Sequence, residues 1–496
     1  MGTRIFRDFP RTFWIANVME LFERGAYYGL NSVLAVYLTA DRGTGGLGFG
    51  EQAVGFLQSI VYAATYVLPI LGGALADRYG YRRMLLVAFS LLTAGYFAAG
   101  FMSSYALVFL ALLVMASGSG LFKPIISGTV ARTTDERTSA FGFGIYYWMI
   151  NMGAFLAPFV VSVLKGFSWR YVFAASAAYT GLMLLPTVFV FKDPPRPESS
   201  KSLRQTLMGA VEVLGDARFV LMIVVYSGFW ILYFQTFGSA LWFLRDFVDR
   251  EPVSAAVTSL LGALGLSWTF TFDVEHVVVI NAGVIILLQV VVSRIVKELP
   301  ALPTMVGGMA LGALGFVCLA ASRSPWVFIL GIAVFSLGEM TAHPKYYSYV
   351  GLVAPAERKA VYMGYAFLYG VFGSLLGSSL GGALYEWMLK PVVGVPGTEG
   401  RTTLFWMIFA VLDVGALIGL WVYGRIFGQD TPETRKKART AMGVVYALIL
   451  LAGGGFLVQG LAATPVRYRI VVQALIFMIL GVGGLVVTRR SRPAEV

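Results

Sequence analysis

Eight ionisable residues interrupt the long apolar stretches of this 496-residue chain: Glu20, Glu23, Arg24, Lys123, Glu339, His343, Lys345 and Asp413. A charge at the centre of a membrane-spanning helix costs at least about 2.5–3.5 kcal/mol, so these groups need partners or water. A neighbouring cation favours an ionised carboxylate, whereas burial favours the protonated form, so a site that opens and closes can bind and release a proton. These residue types therefore predict proton coupling.

The first apolar stretch carries a polar stripe whose members recur every three or four positions: Glu20, Glu23, Arg24, Tyr27, Tyr28 and Asn31. Residues at this spacing share one face of a helix, so the stripe is expected to line a cavity. Asp413 stands alone within LFWMIFAVLDVGALIGLW. For Asp413 the simpler interpretation is a hydrogen bond to a neighbouring helix.

The composition defines the class of protein that holds these residues. Hydrophobic residues make up 58% of the chain and charged residues 13%, against about 45–50% and about 25% in soluble domains. Repeated apolar windows long enough to cross a bilayer predict an all-α polytopic membrane protein. One cysteine and two histidines give no basis for a disulfide framework, a metal site or a redox cofactor. We also find no nucleophile motif or phosphate loop that would indicate an enzyme.

Apolar windows bounded by charges or Gly/Pro breaks predict fourteen spanning helices. The first six lie at 12–39, 51–76, 82–101, 105–130, 139–164 and 170–191. Six more lie at 219–244, 277–296, 303–322, 326–350, 360–388 and 402–424, and a final pair lies at 440–461 and 468–488. The predicted domains are an N-terminal bundle (1–192), a cytoplasmic linker (193–218), a C-terminal bundle (219–424) and an additional hairpin (440–488).

The net charge of +12 follows from this topology. With both termini inside, most of the 38 Lys and Arg residues fall in the cytoplasmic loops, as the positive-inside rule requires. The positive charge therefore gives no reason to expect nucleic-acid binding. We expect an integral protein of a bacterial plasma (inner) membrane, without a cleaved signal because charges interrupt the first window. In the 245–276 loop, VSAAVTSLLGALG is expected to form an extracellular or interfacial helix.

Two segments repeat each other in the two halves. DERTSAFGFGIYYWMINMGAFLAP begins at Asp135 and AERKAVYMGYAFLYGVFGSLLGSS at Ala356, each after the fourth span of its half. Same-sense repeats of six helices are the arrangement of the major facilitator fold, with a site between the halves near the bilayer midplane.

The loop GGALADRYGYRR, from Gly72 to Arg83, resembles the signature of the facilitator superfamily between the second and third helices. We predict a cytoplasmic latch in which Gly73 allows close helix contact and an acid pairs with basic residues across helix ends. Its charged members are Asp77, Arg78, Arg82 and Arg83. A merely basic turn is the alternative.

Six further segments resemble proton-coupled oligopeptide transporters, the peptide transporter branch of that superfamily. MELFERGAYYGL resembles the family's first-helix signature, SGSGLFKPIISG its fourth-helix lysine and FGFGIYYWMINMGAFLAP its fifth-helix motif. FWILYFQTFGSALWF, VINAGVI and GEMTAHP are similar to its seventh, eighth and tenth helices.

This resemblance implies functional roles for the matched residues. Proton coupling would involve Glu20, Glu23, Arg24, Lys123 and Glu339, with Lys123 as a partner or carboxylate binder and Glu339 as the pole for a substrate ammonium. The substrate pocket would be lined by Tyr27, Tyr28, Asn31, Tyr62, Tyr66, Lys123, Asn151, Trp230, Gln235, Asn281, Glu339, His343 and Lys345. Aromatic and amide groups of this kind can contact varied side chains. Core packing is the alternative for the aromatic residues.

The chain also departs from the family pattern. Asn31 stands where the family usually has a second arginine, Ala366 replaces a tryptophan, and Ala282 replaces a proline. His343 and Lys345 are added in the tenth helix, and the extra helices are C-terminal rather than central. These changes put ordinary di- and tripeptides in doubt.

We therefore predict a proton-coupled secondary transporter of small peptides or related zwitterionic solutes, working by alternating access. The proton gradient is its energy source, and we predict no cofactor. Its partners are the substrate, protons and the lipid bilayer. A proton-coupled exporter of drugs or metabolites is the alternative, and a non-transporting receptor or scaffold is a weaker one. The sequence leaves the oligomeric state and the transport direction open.

Overall fold

The computed structural model describes residues 9–135, 137–194, 209, 213–355, 358–463 and 467–490. These residues form helices joined by short loops, with no strand among them. The predicted linker lies mostly outside the described residues, as do Glu136 and Glu357, the glutamates near the start of the two repeats.

The first half contains six spans. They are formed by α1 (Arg11–Asn31) with α2 (Leu34–Thr39), α3 (Glu51–Tyr79), α4 (Tyr81–Phe101), α5 (Tyr105–Arg132), α6 (Ser139–Phe167), and α7 (Trp169–Leu182) with α8 (Leu184–Phe189).

The second half contains six spans and one short loop helix. These are α9 (Ala217–Gln235) with α10 (Ser239–Phe247), the loop helix α11 (Glu251–Ala263), α12 (His276–Val296), α13 (Ala301–Ala321), α14 (Pro325–Val353), α15 (Lys359–Tyr365) with α16 (Leu368–Leu384), and α17 (Glu399–Phe427). A π-helical segment, Tyr385–Leu389, and a 3₁₀ segment, Lys390–Val392, extend α16. The prediction of a helix within the 245–276 loop is confirmed by α11.

The C-terminal hairpin consists of α18 (Pro432–Ala462) and α19 (Tyr468–Arg490). The prediction started its first helix at 440, which is too late. The polar first turns of α18 are stabilised by a capping box between Thr431 and Thr434 and by Pro432 at the first helical position. The second helix of the hairpin reaches the boundary between the halves, since Ile476 and Leu480 pack against Ala63 of α3 and Val371 of α16.

Thirteen helical segments in the described part of the chain are long and apolar enough to cross a bilayer. That set leaves out α1, which carries Glu20, Glu23 and Arg24 but packs against α6 and α7 within the same bundle. With α1 the described residues contain the fourteen predicted spans. The fold is the predicted one, a major facilitator fold with an additional hairpin.

Four predicted spans are not continuous helices. The breaks fall at Ser32–Val33, Met183, Thr236–Gly238 and Ala366–Phe367. A break leaves backbone carbonyls and amides without intrahelical partners, so other groups must satisfy them inside the membrane. At the last break, the Tyr346 hydroxyl donates to the carbonyl oxygen of Ala366 at 2.6 Å.

The two halves meet along three pairs of helices. These are α3 with α16, α6 with α12, and α2 with α10. We call the end that holds loops 40–50, 248–275 and 393–398 the outer end, after the predicted orientation. Glycines allow the closest approach there, because a Cβ at Gly55 would overlap the backbone of Ser378 and Gly382.

Candidate functional site

Glu20, Glu23 and Arg24 form a buried ion-pair cluster on α1. The Arg24 guanidinium donates to Glu23 Oε2 and lies 3.4 Å from Glu20 Oε1. Glu23 is fully buried and Arg24 is 6% exposed. Burying these charges is tolerable because they compensate one another and are hydrogen-bonded. The structure thus brings together the three α1 residues that the sequence singled out.

Neighbouring side chains hold this cluster in place. Ser119 of α5 donates to Glu23 Oε1 at 3.2 Å. The Arg24 guanidinium lies 5.0 Å from the centre of the Tyr27 ring and 5.9 Å from that of Tyr28, within cation–π range. The sequence analysis missed Ser119, although it lies one helical turn before Lys123 and so shares its face.

Lys123 faces aromatic rings. Its ammonium lies 5.0 Å from the centre of the Tyr66 ring and 6.0 Å from that of Tyr27, and it donates to the Thr65 carbonyl at 3.4 Å. Among the described residues it forms no ion pair with a carboxylate. Lys123 is therefore a cation stabilised by π faces and one carbonyl, with capacity for an anionic ligand group.

Glu339 of α14 is held by an amide. Asn281 Nδ2 of α12 donates to Glu339 Oε2 at 3.0 Å and to Ser336 Oγ at 2.9 Å. No cation pairs with Glu339 within the described ranges, so the other carboxylate oxygen can accept from a ligand ammonium. The sequence had identified Asn281 and Glu339 but not Ser336.

Tyr28 lies near both charged poles. Its ring centre is 5.9 Å from the Arg24 guanidinium, and Glu339 of the second half lies within electrostatic range of it. Tyr147 of the first half and Tyr233 of the second also lie within electrostatic range of Glu339. The anionic pole of the second half therefore lies within electrostatic range of tyrosines from both halves.

An aromatic wall stands beside this site in the second half. Trp230 packs on Tyr369 and His343, with ring centres 4.3 and 4.9 Å apart. His343 lies between the hydroxyls of Tyr226 and Tyr369, each 3.4 Å from one of its ring nitrogens. The Trp230 indole N–H is buried without a hydrogen-bond partner among the described residues. Trp230 and His343 therefore lie together, as predicted, and the tyrosines around them were missed.

Several predicted pocket residues already have their hydrogen bonds filled. Gln235 donates to the carbonyls of Ile231 and Gly377 and accepts from Ser239, so it joins α9 to α16. Asn151 donates to the Tyr147 carbonyl at 2.9 Å on its own helix. Asn31 and Tyr62 are bonded to each other. These residues hold helices in position instead of presenting free groups to a ligand.

Lys345 lies apart from the site. Its ammonium donates to the carbonyls of Lys297 and Leu299 at 3.0 and 2.7 Å, just beyond the end of α12. A cation there satisfies carbonyls that the helix leaves free and interacts favourably with its dipole. The prediction that Lys345 lines the pocket is corrected, because its side chain points to the end of a helix.

The predicted latch differs in its partners. Asp77 pairs with Arg132 of α5 at 2.8 Å, and Arg82 donates to the Thr187 and Val188 carbonyls while its backbone N–H donates to Asp193. Arg78 stacks on Tyr79 and Arg83 is exposed. The close contact between α3 and α5 is at Gly72 instead of Gly73. A Cβ at Gly72 would lie 2.5 Å from the Gly120 carbonyl oxygen, whereas the atom nearest to a Cβ at Gly73 would be 3.6 Å away. These contacts join helices of the first half.

Asp413 is fully buried between α17 and α13, close to Gly312. No side chain of the described residues bonds to either of its oxygens. Asp413 thus has no cation partner among the described residues.

Side chains also close the outer end between the halves. Lys165 of α6 donates to Asp273 and Glu275, and Lys390 pairs with Glu51 at 2.6 Å. Glu386 accepts from the Gln52 backbone N–H at 2.8 Å. The described conformation is therefore closed at its outer end. The sequence analysis missed these pairs, because their members lie in loops or at helix ends.

Two six-helix halves with charged groups buried near their boundary are the arrangement of a membrane-transporter fold. A sequence description of the Major Facilitator Superfamily matches residues 14–378. The chain belongs to this superfamily.

The similar proteins include peptide transporters. The uncharacterized transporter YclF of Bacillus subtilis is 30% identical over 42% of this chain and 45% of its own length. A di-/tripeptide transporter of Lactococcus lactis is 28% identical over 49% of both chains. The multidrug resistance protein MdtH of Aeromonas hydrophila is 25% identical over 73% of this chain and 87% of its own. The chain spans about half the length of the first two relatives.

Solved structures show the same fold. A peptide transporter POT in complex with sulfate superposes with a TM-score of 0.68, at 20% identity over 84% of this chain and 95% of that one. A POT family transporter in complex with 5-aminolevulinic acid gives 0.65, at 22% identity over 84% and 97%. The resemblance to the oligopeptide transporter family that the motifs indicated is thus confirmed.

Proposed function

We propose that this protein is a proton-coupled secondary transporter of small zwitterionic organic molecules, with peptides and peptide-like compounds as the first class to test. The placement of Tyr28 within electrostatic range of both Arg24 and Glu339 supports this function most directly. A molecule with a carboxylate and an ammonium can place one near Lys123 and Arg24 and the other near Glu339.

The Glu23–Arg24 pair supplies the coupling. Arg24 has two carboxylate partners and is close to two tyrosine rings, so protonation of Glu23 weakens its strongest bond and frees the guanidinium for a substrate carboxylate. Deprotonation re-forms the pair and displaces the substrate. Proton binding and substrate binding then favour each other, which is the reciprocity that coupled transport requires.

The test uses protein reconstituted in liposomes. Labelled peptides and amino acids, first selected by thermal-shift screening, are offered with and without an inward proton gradient. We expect the gradient to drive accumulation. Glu23→Gln should abolish gradient-driven uptake while preserving counterflow exchange. Asp413→Asn, which changes a buried carboxyl without a cation partner among the described residues, is the matched control. Uptake that is indifferent to the gradient would refute the coupling.

Export is the second candidate, favoured by the long alignment with the multidrug resistance protein. The same liposomes distinguish it when oriented protein is loaded with substrate inside. Efflux driven by an inward proton gradient would establish the exporter, whereas accumulation establishes the importer.

A further inference from the structure

Two broken helices from opposite halves face each other in the described structure. The first span breaks after Asn31, between α1 and α2, and the seventh span breaks at Thr236–Gly238, between α9 and α10. In each case a short outer segment is separated from a longer inner one. The Phe237 carbonyl lies in the second break, where no helical amide serves it.

A chain of four hydrogen bonds joins these breaks. Gln58 Nε2 of α3 donates to the Phe237 carbonyl at 2.8 Å and to the Tyr62 hydroxyl at 3.1 Å. The Tyr62 hydroxyl donates to Asn31 Oδ1, and Asn31 Nδ2 donates to the Tyr27 carbonyl, both at 2.7 Å.

Every side chain of this hydrogen-bond chain is buried. Gln58 and Tyr62 are 2% and 1% exposed, and Asn31 is fully buried. Buried polar groups that lose a partner keep the full cost of desolvation, so the chain is stable only as long as all its members stay in place. Separation of the halves at this level must break the bond between Gln58 and Phe237, because that bond alone in the chain crosses from one half to the other.

The outer segments above the breaks are joined directly. Trp242 Nε1 of α10 donates to the Ala35 carbonyl of α2 at 3.1 Å, and Arg245 donates to Thr39 Oγ1 at 3.0 Å. At its other end, the chain of hydrogen bonds finishes on Tyr27 of α1, and the Arg24 guanidinium lies over the Tyr27 ring. The hydrogen-bond chain therefore runs from the ion-pair cluster of α1 to the segment that closes the outer end.

We propose that Gln58, Tyr62 and Asn31 are positioning residues that hold the outer end closed and join that closure to the helix carrying Glu23 and Arg24. Asn31 is a structural link in this arrangement and does not bind a substrate carboxylate. The bond to Phe237 fixes the break in the seventh span, and the bonds through Tyr62 fix the end of α1. Opening of the outer end and displacement of α1 are then one event.

Spin-label distances test this inference without substrate or a proton gradient, so the result is independent of the transported molecule. In a Cys318→Ser background, labels at Gly43→Cys and Gly400→Cys report the outer end, and labels at Gly144→Cys and Gly307→Cys report the inner end. All four glycines are exposed, with open space where a Cβ would be added.

Tyr62→Phe removes one hydroxyl and keeps the ring stacked on Phe234. This variant loses the hydrogen bonds of the Tyr62 hydroxyl with Gln58 and with Asn31. We expect the outer distance to lengthen and the inner distance to shorten in more of the molecules. Loss of about one net hydrogen bond corresponds to roughly a tenfold change in the ratio of open to closed states. Gln58→Leu should give the same shift.

Two controls match these variants. Tyr365→Phe removes the hydroxyl of a buried tyrosine that has no hydrogen-bond partner in the described structure. Gln235→Leu removes a buried amide whose bonds stay within the second half. Both should leave the two distance distributions as in the parent protein. Unchanged distances in folded Tyr62→Phe, or an equal shift in Gln235→Leu, would overturn the inference.

Discussion

Lys165 and Asp273 pair across the boundary between the two halves, near the outer end of the molecule. Lys165 also donates to Glu275, whose side chain is fully buried, and Arg250 approaches Asp273 from its own half. A single lysine of the first half thus contacts two carboxylates of the second, and together with Arg250 it balances their charge.

Replacing Lys165 by alanine should destabilise the described conformation strongly. Removing one partner of a buried ion pair costs about 3–5 kcal/mol, and here the fully buried Glu275 would lose its lysine while Asp273 keeps Arg250. We expect a clearly lower melting temperature in detergent. Lys437→Ala is the control, since its pair with Glu433 is exposed and such pairs contribute about 0–1 kcal/mol. Similar melting temperatures for both variants would contradict the role of Lys165.

The stabilisation by Lys165 and Asp273 should persist in mild acid. Burial alone would raise the pKa of Asp273, but Lys165 and Arg250 outweigh it and lower that pKa below its ordinary value. The contribution is therefore complete above the ordinary aspartate pKa of about 4 and is lost only as the pH falls through the lower value in the folded protein. Melting temperatures of the wild type and Asp273→Asn should differ by a constant amount from pH 8 to pH 5. A difference that vanishes near pH 6 would be inconsistent with this pairing.

Gly72 and Gly73 are adjacent and should respond differently to alanine. A Cβ at Gly72 would meet the backbone of Gly120 and Leu121, whereas at Gly73 it would make ordinary contact with Pro124. Gly72→Ala should cost about 1–3 kcal/mol, since backbone atoms must shift. Gly73→Ala should be nearly neutral. Thermal unfolding in detergent measures both, and equal losses would refute the assignment of the close contact to Gly72.

Lys345→Ala and His343→Ala should affect different properties. Lys345 serves carbonyls beyond the end of α12, so its loss should lower stability by about 0.3–1 kcal/mol without altering substrate preference. His343 lies in the aromatic wall, so its loss should change which substrates are taken up. Competition by a panel of peptides against one labelled substrate measures the preference. A changed preference in Lys345→Ala would show that its ammonium reaches the site.

Glu339→Gln should weaken the selection for a free amino group. Asn281 can still bond to the amide oxygen, but the negative pole is lost. We expect the KM for zwitterionic substrates to rise at least tenfold, while N-acetylated analogues lose little. Glu386→Gln, at the outer end, is the matched control and should preserve the selection. Equal loss for both kinds of substrate would point to a folding defect.

The sequence predicts the fold well because long apolar windows and their boundaries leave few alternatives. It does not predict the breaks at Ser32–Val33 or Thr236–Gly238, since small and polar residues like those beside the breaks also occur within continuous helices, as at Ser119 and Asn151. At the second break, the Phe237 carbonyl accepts a hydrogen bond from Gln58, which lies far away in the sequence. Such a contact depends on tertiary packing.

For the site, the sequence identified the poles but overestimated the lining. Glu23, Arg24 and Glu339 stand out because charges in apolar stretches need compensation. His343 and Lys345, in contrast, are two positions apart and so point to different faces of α14, a geometry that favours only one of them for the pocket. Asn31 and Tyr62 were assigned by resemblance, which gives a residue's position but not its hydrogen-bond partners.

The C-terminal hairpin affects which molecules can reach the boundary between the halves from the surrounding lipid. Because Ile476 and Leu480 of α19 lie over the junction of α3 and α16, and Arg469 stacks on Tyr105, acyl chains are excluded from that junction. A hydrophobic substrate that entered laterally from the bilayer would have to pass through the opposite junction, between α6 and α12. Among the described residues, the hairpin thus covers one of the two lateral junctions between the halves, and no helix covers the other.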